Sequence, residues 1–507
     1  MTTNVLQLLE RSAAAFPDKK AVTEADRSLD RTELCARSQR IGSALIELSG
    51  AGGAVGVYME KGIDALCAFF GAVYAGSFYT MLNTELPDAR LGQICSVLEA
   101  KCIITTDDLK AKACELFPET DIYTVSQLAE HEIDDKALEA VRSHAVDTDP
   151  LYVNFTSGST GVPKGIAVCH RSVIDFIGFF TEMFGITDKD VIANQAPFDF
   201  DVSVKDIYSS IAAGAELVIV PRQYFSAPAK LIDYLCENRI TTMVWAVSAL
   251  CLISTFHGLD YKTPETVNKI LFSGEVMPFK HLREWQKHLP DALYVNLYGP
   301  TEITCNCTYH ILEKDRDYSQ GIPIGVPFPN EDVFLLGEDN KKITEAGKTG
   351  IITVRGTALA LGYYRNDEQN AKAFVQNPLN KAYPETVYLT GDLGTYNEDG
   401  ELLFCGRADY QIKYMGHRIE LEEIERAMAA VEGVERCFCV FDEKKSRLRG
   451  YYVGTIEKNE LHSAMTATMP AFMIPGSITK LEDIILTKNG KIDRKKTVEQ
   501  FGGKKNG

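Results

Sequence analysis

The densest chemistry in the chain lies at 151–165, LYVNFTSGSTGVPKG. An apolar run leads into Thr156, Ser157, Gly158, Ser159, Thr160 and Gly161, with Lys164 just beyond. Glycines let a backbone approach a ligand closely, and hydroxyls together with backbone N–H groups cradle phosphate oxygens. Lys164 adds a compact positive charge. The spacing is not that of a Walker A loop, because no Gly-Lys-Ser/Thr carries the last glycine onto a helix. Gly/Ser loops are also ordinary surface loops, so a phosphate reading needs further anchors.

Other segments supply them. NLYGPTE at 296–302 ends a strand in a Gly-Pro turn and predicts an exposed carboxylate, Glu302, suited to holding Mg2+. YLTGDLG at 388–394 places Asp392 after a glycine turn, where a carboxylate accepts both hydroxyls of a ribose. GRADYQIK brings Arg407, and LTKNGKIDR at 486–494 presents Lys491 on a Gly-containing turn. Each motif alone occurs in many surface loops. Together and in this order they are specific.

The elements that must position these residues read as layers. Apolar β-branched runs alternate with amphipathic helical stretches, as in CIITT at 102–106, ELVIVP at 216–221, TTMVWAV at 241–247 and KILFSGE at 269–275. The uncharged stretch from Ala65 to Thr84 is interrupted by Gly71, Gly76, Ser77, Tyr79 and Asn83, and reads as a buried helix followed by a strand, not a membrane span. From about residue 320 the texture changes to short strands and turns, a β-rich subdomain. ELEEIERAMAAVEGV carries apolar residues at helical spacing and predicts an amphipathic helix. The expected fold class is α/β: a large N-terminal domain of layered α/β subdomains plus a β-rich subdomain, 1–408, and a small α+β C-terminal domain, 409–507. The final GGKKNG is expected to fray.

Composition narrows the functions available. With 507 residues, 45% hydrophobic and 24% charged, the chain is neither disordered nor fibrous, and it is long enough for at least two domains. A formal charge of −17 argues against a general binder of nucleic acid or of anionic membranes. Positive charge is concentrated at the end: Ile484 to Gly507 holds seven basic residues against Asp493 and Glu499. The N-terminus has no basic n-region or sustained apolar core. The 13 cysteines contain no CxxC pair, and nearby histidines do not complete zinc-ligand spacing, so reduced thiols and a cytoplasmic location are expected.

In register over nearly the whole length, these motifs resemble the adenylate-forming enzymes: acyl-CoA synthetases, luciferases and the amino-acid adenylation domains of nonribosomal peptide synthetases. NQAPFDFDVSVKDIY, ILFSGEVMP and YQIKYMGHRIELEEIE are similar to segments of amino-acid adenylation domains, and within them to the stand-alone D-alanine–carrier protein ligase. The resemblance implies ATP and Mg2+ as cofactors and two half-reactions. A substrate carboxylate attacks the α-phosphate to give an acyl-adenylate and pyrophosphate, and a phosphopantetheine thiol on a carrier protein then takes the acyl group. It also implies roles. Thr156 to Gly161 and Lys164 hold phosphates, Thr301 touches the α-phosphate, and Glu302 holds the metal. Gly274 and Glu275 lie along adenine with Asn296, Tyr298 and Gly299 nearby, while Asp392 and Arg407 hold the ribose. Lys491 is the catalytic lysine. Asp409 is a hinge about which the C-terminal domain exchanges Lys491 for the thiol-transfer loop Gly416, His417 and Arg418.

For the substrate, the resemblance makes Asp201 the partner of an α-ammonium group, which favours an amino acid over an apolar acid. Val202, Lys205, Ala246, Leu271, Ser273, Leu297, Cys305 and Asn306 line the rest of the pocket, with Trp245 replacing Ala246 if the register shifts by one. The D-alanine ligase usually has Met where this chain has Lys205, and Cys where it has Ser273. A buried ammonium needs a partner. Either Lys205 meets the side-chain carboxylate of an acidic amino acid, or it turns away to a protein acid such as Asp206 or Asp199. The substrate expected is therefore small or acidic. The chain ends shortly after the NGK turn, so the carrier is expected in trans, unless the chain was cut from a larger synthetase. An acyl- or aryl-CoA synthetase and a non-catalytic nucleotide-binding protein are the alternatives.

Overall fold

Strands whose residues are apolar on both faces must be covered on both sides, which is the situation of a parallel sheet between helices. Thr242–Ala246, buried at every position, is such a strand. A computed structural model describes residues 2–158, 162–318, 321–408, 411–442, 445–485, 492 and 494–501. The chain divides into two units: Met1–Thr84, Leu98–Asn154 and Gly165–Ala408 form the first, and Glu85–Val97, Phe155–Lys164 and Asp409–Gly507 the second.

The first unit is built on three sheets. A nine-stranded sheet is parallel through its middle, in the order Leu293–Tyr298, Lys269–Ser273, Thr242–Ala246, Val191–Asn194, Glu216–Ile219 and Lys20–Glu24. Antiparallel strands close its two edges. A seven-stranded sheet runs from Gly362–Tyr363 through Lys164–Cys169, Pro150–Thr156, Phe78–Asn83, Ala54–Met59 and Cys102–Thr105 to Asp121–Thr124. The third sheet is antiparallel and lies within 331–407, where the sequence predicts short strands. The stretch from Ala65 folds as the buried helix Ile63–Tyr74 followed by the strand Phe78–Asn83. Among the described residues no helix is long and apolar enough to cross a membrane.

In the second unit, Gln411–Tyr414 and His417–Glu420 form a hairpin whose turn residues Met415 (φ 53°) and Gly416 (φ 81°) are both left-handed, as a two-residue hairpin turn demands. The helix Leu421–Ala429 follows and packs Ile424 and Met428 against the sheet of Val434–Asp442, Arg447–Gly454 and Ser477–Lys480. It is shorter than its periodic sequence suggests, because Gly433 (φ 91°) turns the chain into the next strand. All 13 cysteines are free thiols, and of these only Cys114 and Cys405 are exposed.

Candidate active site

In a parallel sheet with helical cover, ligands bind beyond the carboxyl ends of the strands. Register sets which residues stand there. Ala246 pairs with Ser273, and Phe272 with Asn296, so Ala246, Ser273 and Tyr298 end three adjacent strands at one edge. Gly274 follows with φ 95°, and nothing lies within 4 Å of where its Cβ would be, leaving open space beside the backbone. Glu275 next to it is half-buried.

After Tyr298 the chain folds tightly back on itself. A Cβ on Gly299 would sit 2.5 Å from Asn306 Cα and 2.8 Å from Cys305 O, so only glycine fits. Thr301–Ile303 form one 3-10 turn, then Thr304 (φ 49°) and Cys305 (φ 80°) both take left-handed conformations, an uncommon pair for residues with side chains. The expectation of an exposed Glu302 is wrong: the residue is 0% exposed. The segment 358–363 covers it. Ala360 N–H donates to Glu302 O (2.8 Å), Thr304 Oγ1 donates to Ala358 O (2.7 Å), and the Tyr363 hydroxyl donates to Glu302 Oε1 (2.7 Å). A buried carboxylate needs such donors.

Asp392 also differs from its expected setting. It lies inside the long strand Thr386–Tyr396, not after a turn; Gly391 takes φ 74° within the strand. Asp392 stands directly across from Arg407, whose Nη1 donates to Asp392 Oδ1 at 2.5 Å and to Thr390 O at 3.1 Å. The Tyr298 hydroxyl donates to Asp392 Oδ2 at 2.6 Å. Burial, then the charge of Asp392, pushes the Tyr298 phenol well above its usual range, so it remains a donor. The Asn296 amide is turned to Pro323 O (2.8 Å).

Asp201 is the N-cap of the helix Val202–Ala213 and Lys205 lies one turn on. Lys205 Nζ donates to Asn306 Oδ1 at 2.6 Å and Ser273 Oγ at 3.3 Å, and Cys305 Sγ donates to Asp201 O at 3.0 Å. The structure thus brings together Asp201, Lys205, Ser273, Cys305 and Asn306. Val202, Leu271 and Leu297 are buried, and Leu271 and Leu297 belong to the same apolar core cluster as Cys305. Trp245 is not in this group: its indole N–H donates to Ala193 O and the ring packs on Phe225 in a separate apolar cluster, while Ala246 N–H meets Gln195 Oε1. Of the two acids weighed as partners for Lys205, Asp199 accepts from Asn83, and Asp206 accepts from Asn194. Burial pushes the Asp206 carboxyl up to about 7 against the pull of Lys205 and Lys61, and pushes the Lys61 ammonium down to about 8. Lys61, held by Asn194 Oδ1 and Gln195 O, carries no motif and was not legible in the sequence. Neither was Tyr363, which becomes visible only through its contact with Glu302.

Within the second unit, Thr156 ends its strand, and Ser157, Gly158 and Lys164 each have partners in the segment 418–423. Ser157 Oγ donates to Arg418 O (2.6 Å), Gly158 N–H to Glu423 Oε2 (3.1 Å), and Lys164 Nζ stands 3.6 Å from Glu420 Oε1. A Cβ on Gly158 would meet Val162 O at 1.9 Å. Arg90 Nη1 donates to the other oxygen of Glu423 at 2.6 Å. Burial raises the Glu423 carboxyl, with Arg90 opposing the shift. The His417 ring stacks on Phe472 at 3.6 Å. Ser159, Thr160, Gly161, Asp409 and Lys491 lie outside the described residues.

The AMP-binding enzyme family matches residues 9–364. The chain belongs to that family. Tyrocidine synthase 1 of Brevibacillus parabrevis is 31% identical over 501 residues, which cover 97% of this AMP-binding enzyme and 44% of that protein. Zwittermicin A synthase ZmaJ of Bacillus cereus is 31% identical over 510 residues, covering 98% and 94% respectively. The AMP-binding enzyme therefore spans less than half of the first relative and nearly all of the second. Among solved structures, holo-PA1221, an NRPS protein containing adenylation and PCP domains, shares the fold with a TM-score of 0.84 at 24% identity, over 98% of this chain and 84% of that one.

Proposed function

We propose that this AMP-binding enzyme activates an amino acid, small or acidic, as its aminoacyl-adenylate and passes it to the phosphopantetheine thiol of a carrier protein. In the first half-reaction a carboxylate oxygen bonds to the α-phosphorus of ATP and the bond to pyrophosphate breaks. In the second a thiol sulfur bonds to the acyl carbon and AMP leaves. The observation that carries the reading is Asp201, a buried acidic residue at the start of the helix that bears Lys205, whose main-chain carbonyl accepts from Cys305 Sγ; a carboxylate there suits an α-ammonium group.

The residues present fit the nucleotide and the metal. Gly158 supplies a backbone too tight for any side chain, open space adjoins Gly274 for a planar base, and Glu302 is a hard oxygen donor. Thr156 to Gly161 and Lys164 hold phosphate oxygens, and Thr301 reaches the α-phosphate. Asn296, Tyr298 and Gly299 border the base, and Asp392 with Arg407 binds the ribose hydroxyls. Glu302 holds Mg2+, which when bound neutralises phosphate charge. Lys491 spans the substrate carboxylate and the nucleotide as charge develops. The carrier acts in trans, and residues 1–408 and 409–507 work as core and mobile domain about Asp409. Gly416 to Arg418 approach the thiol. The likeness in motif to the D-alanine–carrier protein ligase supports this order of events, and a cytoplasmic location goes with it.

Amino-acid-dependent exchange of pyrophosphate into ATP tests the first half-reaction, and acylation of a carrier compared with CoA tests the second. Lys491→Ala is expected to abolish exchange while sparing transfer from a supplied adenylate. Equal loss of both would remove Lys491 from its role.

A further inference from the structure

The size of the pocket can be reasoned from the helix that begins at Asp201. Residues four apart on a helix share a face, with an axial separation of about 6 Å. Asp201 and Lys205 are so related. Asp201 keeps 7% of its surface exposed, Ala246 6% and Ser273 4%, whereas Lys205 keeps 0%. Its ammonium is tied to Asn306, from the loop that Gly299 allows to close, and to Ser273, from the end of a strand. The Asn306 carbonyl is presented by a backbone that is already specified, since Thr304 and Cys305 hold left-handed conformations and Cys305 Sγ is fixed on Asp201 O. The charge also has company: the fully buried Asp206 carboxylate lies within its field.

A substrate carboxylate at Lys205 would have to compete with Asn306 and Ser273 for the ammonium. Each bond displaced would leave a buried polar group without that partner, which is unfavourable. Resting on the amino-acid reading above, we infer that Lys205 is a floor and not a counter-ion. Together with Asn306 and Ser273 it ends the pocket about one helical turn from Asp201, so the amino acid accepted has a side chain no larger than hydrogen, methyl or hydroxymethyl.

Pyrophosphate exchange across glycine, alanine and serine (both enantiomers of the last two), valine, leucine, aspartate and glutamate tests this. The expected result is exchange with the small set at least about tenfold above the rest, in line with what a pocket of fixed depth can discriminate. Lys205→Ala should shift the ranking toward valine and leucine, and Lys205→Met, which keeps the volume, should hold the small preference. Exchange by the unaltered enzyme that is strongest with aspartate, glutamate or leucine overturns the floor while leaving amino-acid activation intact. Silence with every amino acid overturns the activation reading itself, and the floor with it. The panel on the unaltered enzyme decides the matter even if Lys205→Ala does not fold.

Discussion

Asp392 spends one lone pair of each carboxylate oxygen inside the protein, Oδ1 toward Arg407 and Oδ2 toward Tyr298. Each oxygen has a second, which suits a pair of adjacent hydroxyls. A nucleotide with only one of them forfeits a hydrogen bond to a charged group, worth about 1.5–3 kcal/mol. Replacing ATP by 2′-deoxyATP should therefore raise the nucleotide KM by about ten- to a hundredfold in exchange assays; an unchanged KM would take the ribose away from Asp392. Tyr363 makes a parallel case for Glu302. Tyr363→Phe removes the donor that holds one carboxylate oxygen, and partners of ligating groups commonly matter by about 10–100-fold. The Mg2+ concentration needed for half-maximal exchange should rise by about tenfold, and the melting temperature should move little. A fall in activity with no change in Mg2+ dependence would make the contact merely structural. The residue type of Glu302 was legible in the sequence, but its burial was not, because the hydroxyl that covers it lies 61 residues away.

The segment 357–363 is what links these residues into an element. It begins at Glu331, whose Oε1 accepts from Ala358 N–H (2.8 Å), and ends at Tyr363 on a short strand beside Ile166. Burial pushes the Glu331 carboxyl up to about 8, and the neighbouring Asp175 adds to it. Its Oε2 is buried with no hydrogen-bond partner among the described residues. A folded-state value above the unfolded one means the proton is bound more tightly in the native protein. The stabilisation is complete below the unfolded value near 4.5 and is lost as pH rises through about 8. Glu331→Gln imitates the protonated form, so the native enzyme should match it in thermal melting at pH 5 and fall below it at pH 8.5. A gap that does not vary with pH would exclude Glu331 as its source. Elements such as Cys102–Thr105, Thr242–Ala246 and Lys269–Ser273 were readable because uninterrupted apolar runs have few other fates. The strand through Asp392 was misread as a turn because Gly-Asp is turn composition, whereas pairing with Thr349–Gly356 on both sides of Gly391 and with Leu402–Arg407 from Asp392 onward carries the strand through it.

Over the whole molecule, the charge of −17 coexists with a closing stretch, Ile484 to Gly507, that is rich in lysine and arginine. An acidic protein that handles a polyanion has to confine its cations to a few positions, and the proposed ones are Lys164, Arg407 and Lys491. If the two half-reactions alternate by rotation at Asp409, Asp409→Pro, which fixes φ near −65° and removes an N–H, should suppress one half-reaction far more than the other. Exchange and carrier acylation measured side by side read this directly, and equal loss of both would remove the pivot. The proposed division of labour between core and mobile domain rests on motif order alone, whereas the ties of Ser157, Gly158 and Lys164 to Arg418, Glu423 and Glu420 are not legible in the sequence, since they join segments more than 250 residues apart.

The thiols offer a last consequence, for spectroscopy. Burial raises Cys67, Cys95, Cys251 and Cys437 to about 12 and Cys102 to about 11, which keeps them protonated and poorly nucleophilic at neutral pH. Cys114 and Cys405 stand out at the surface. A maleimide dye offered at pH 7 is expected to favour these two surface thiols, with Cys405 slowed because partial burial raises it as well. Exchanging one of them for serine leaves a single attachment point in the first unit, so that one cysteine introduced on the three-stranded sheet of the second completes a donor–acceptor pair. The protein then comes close to supplying its own ruler for following the catalytic cycle one molecule at a time.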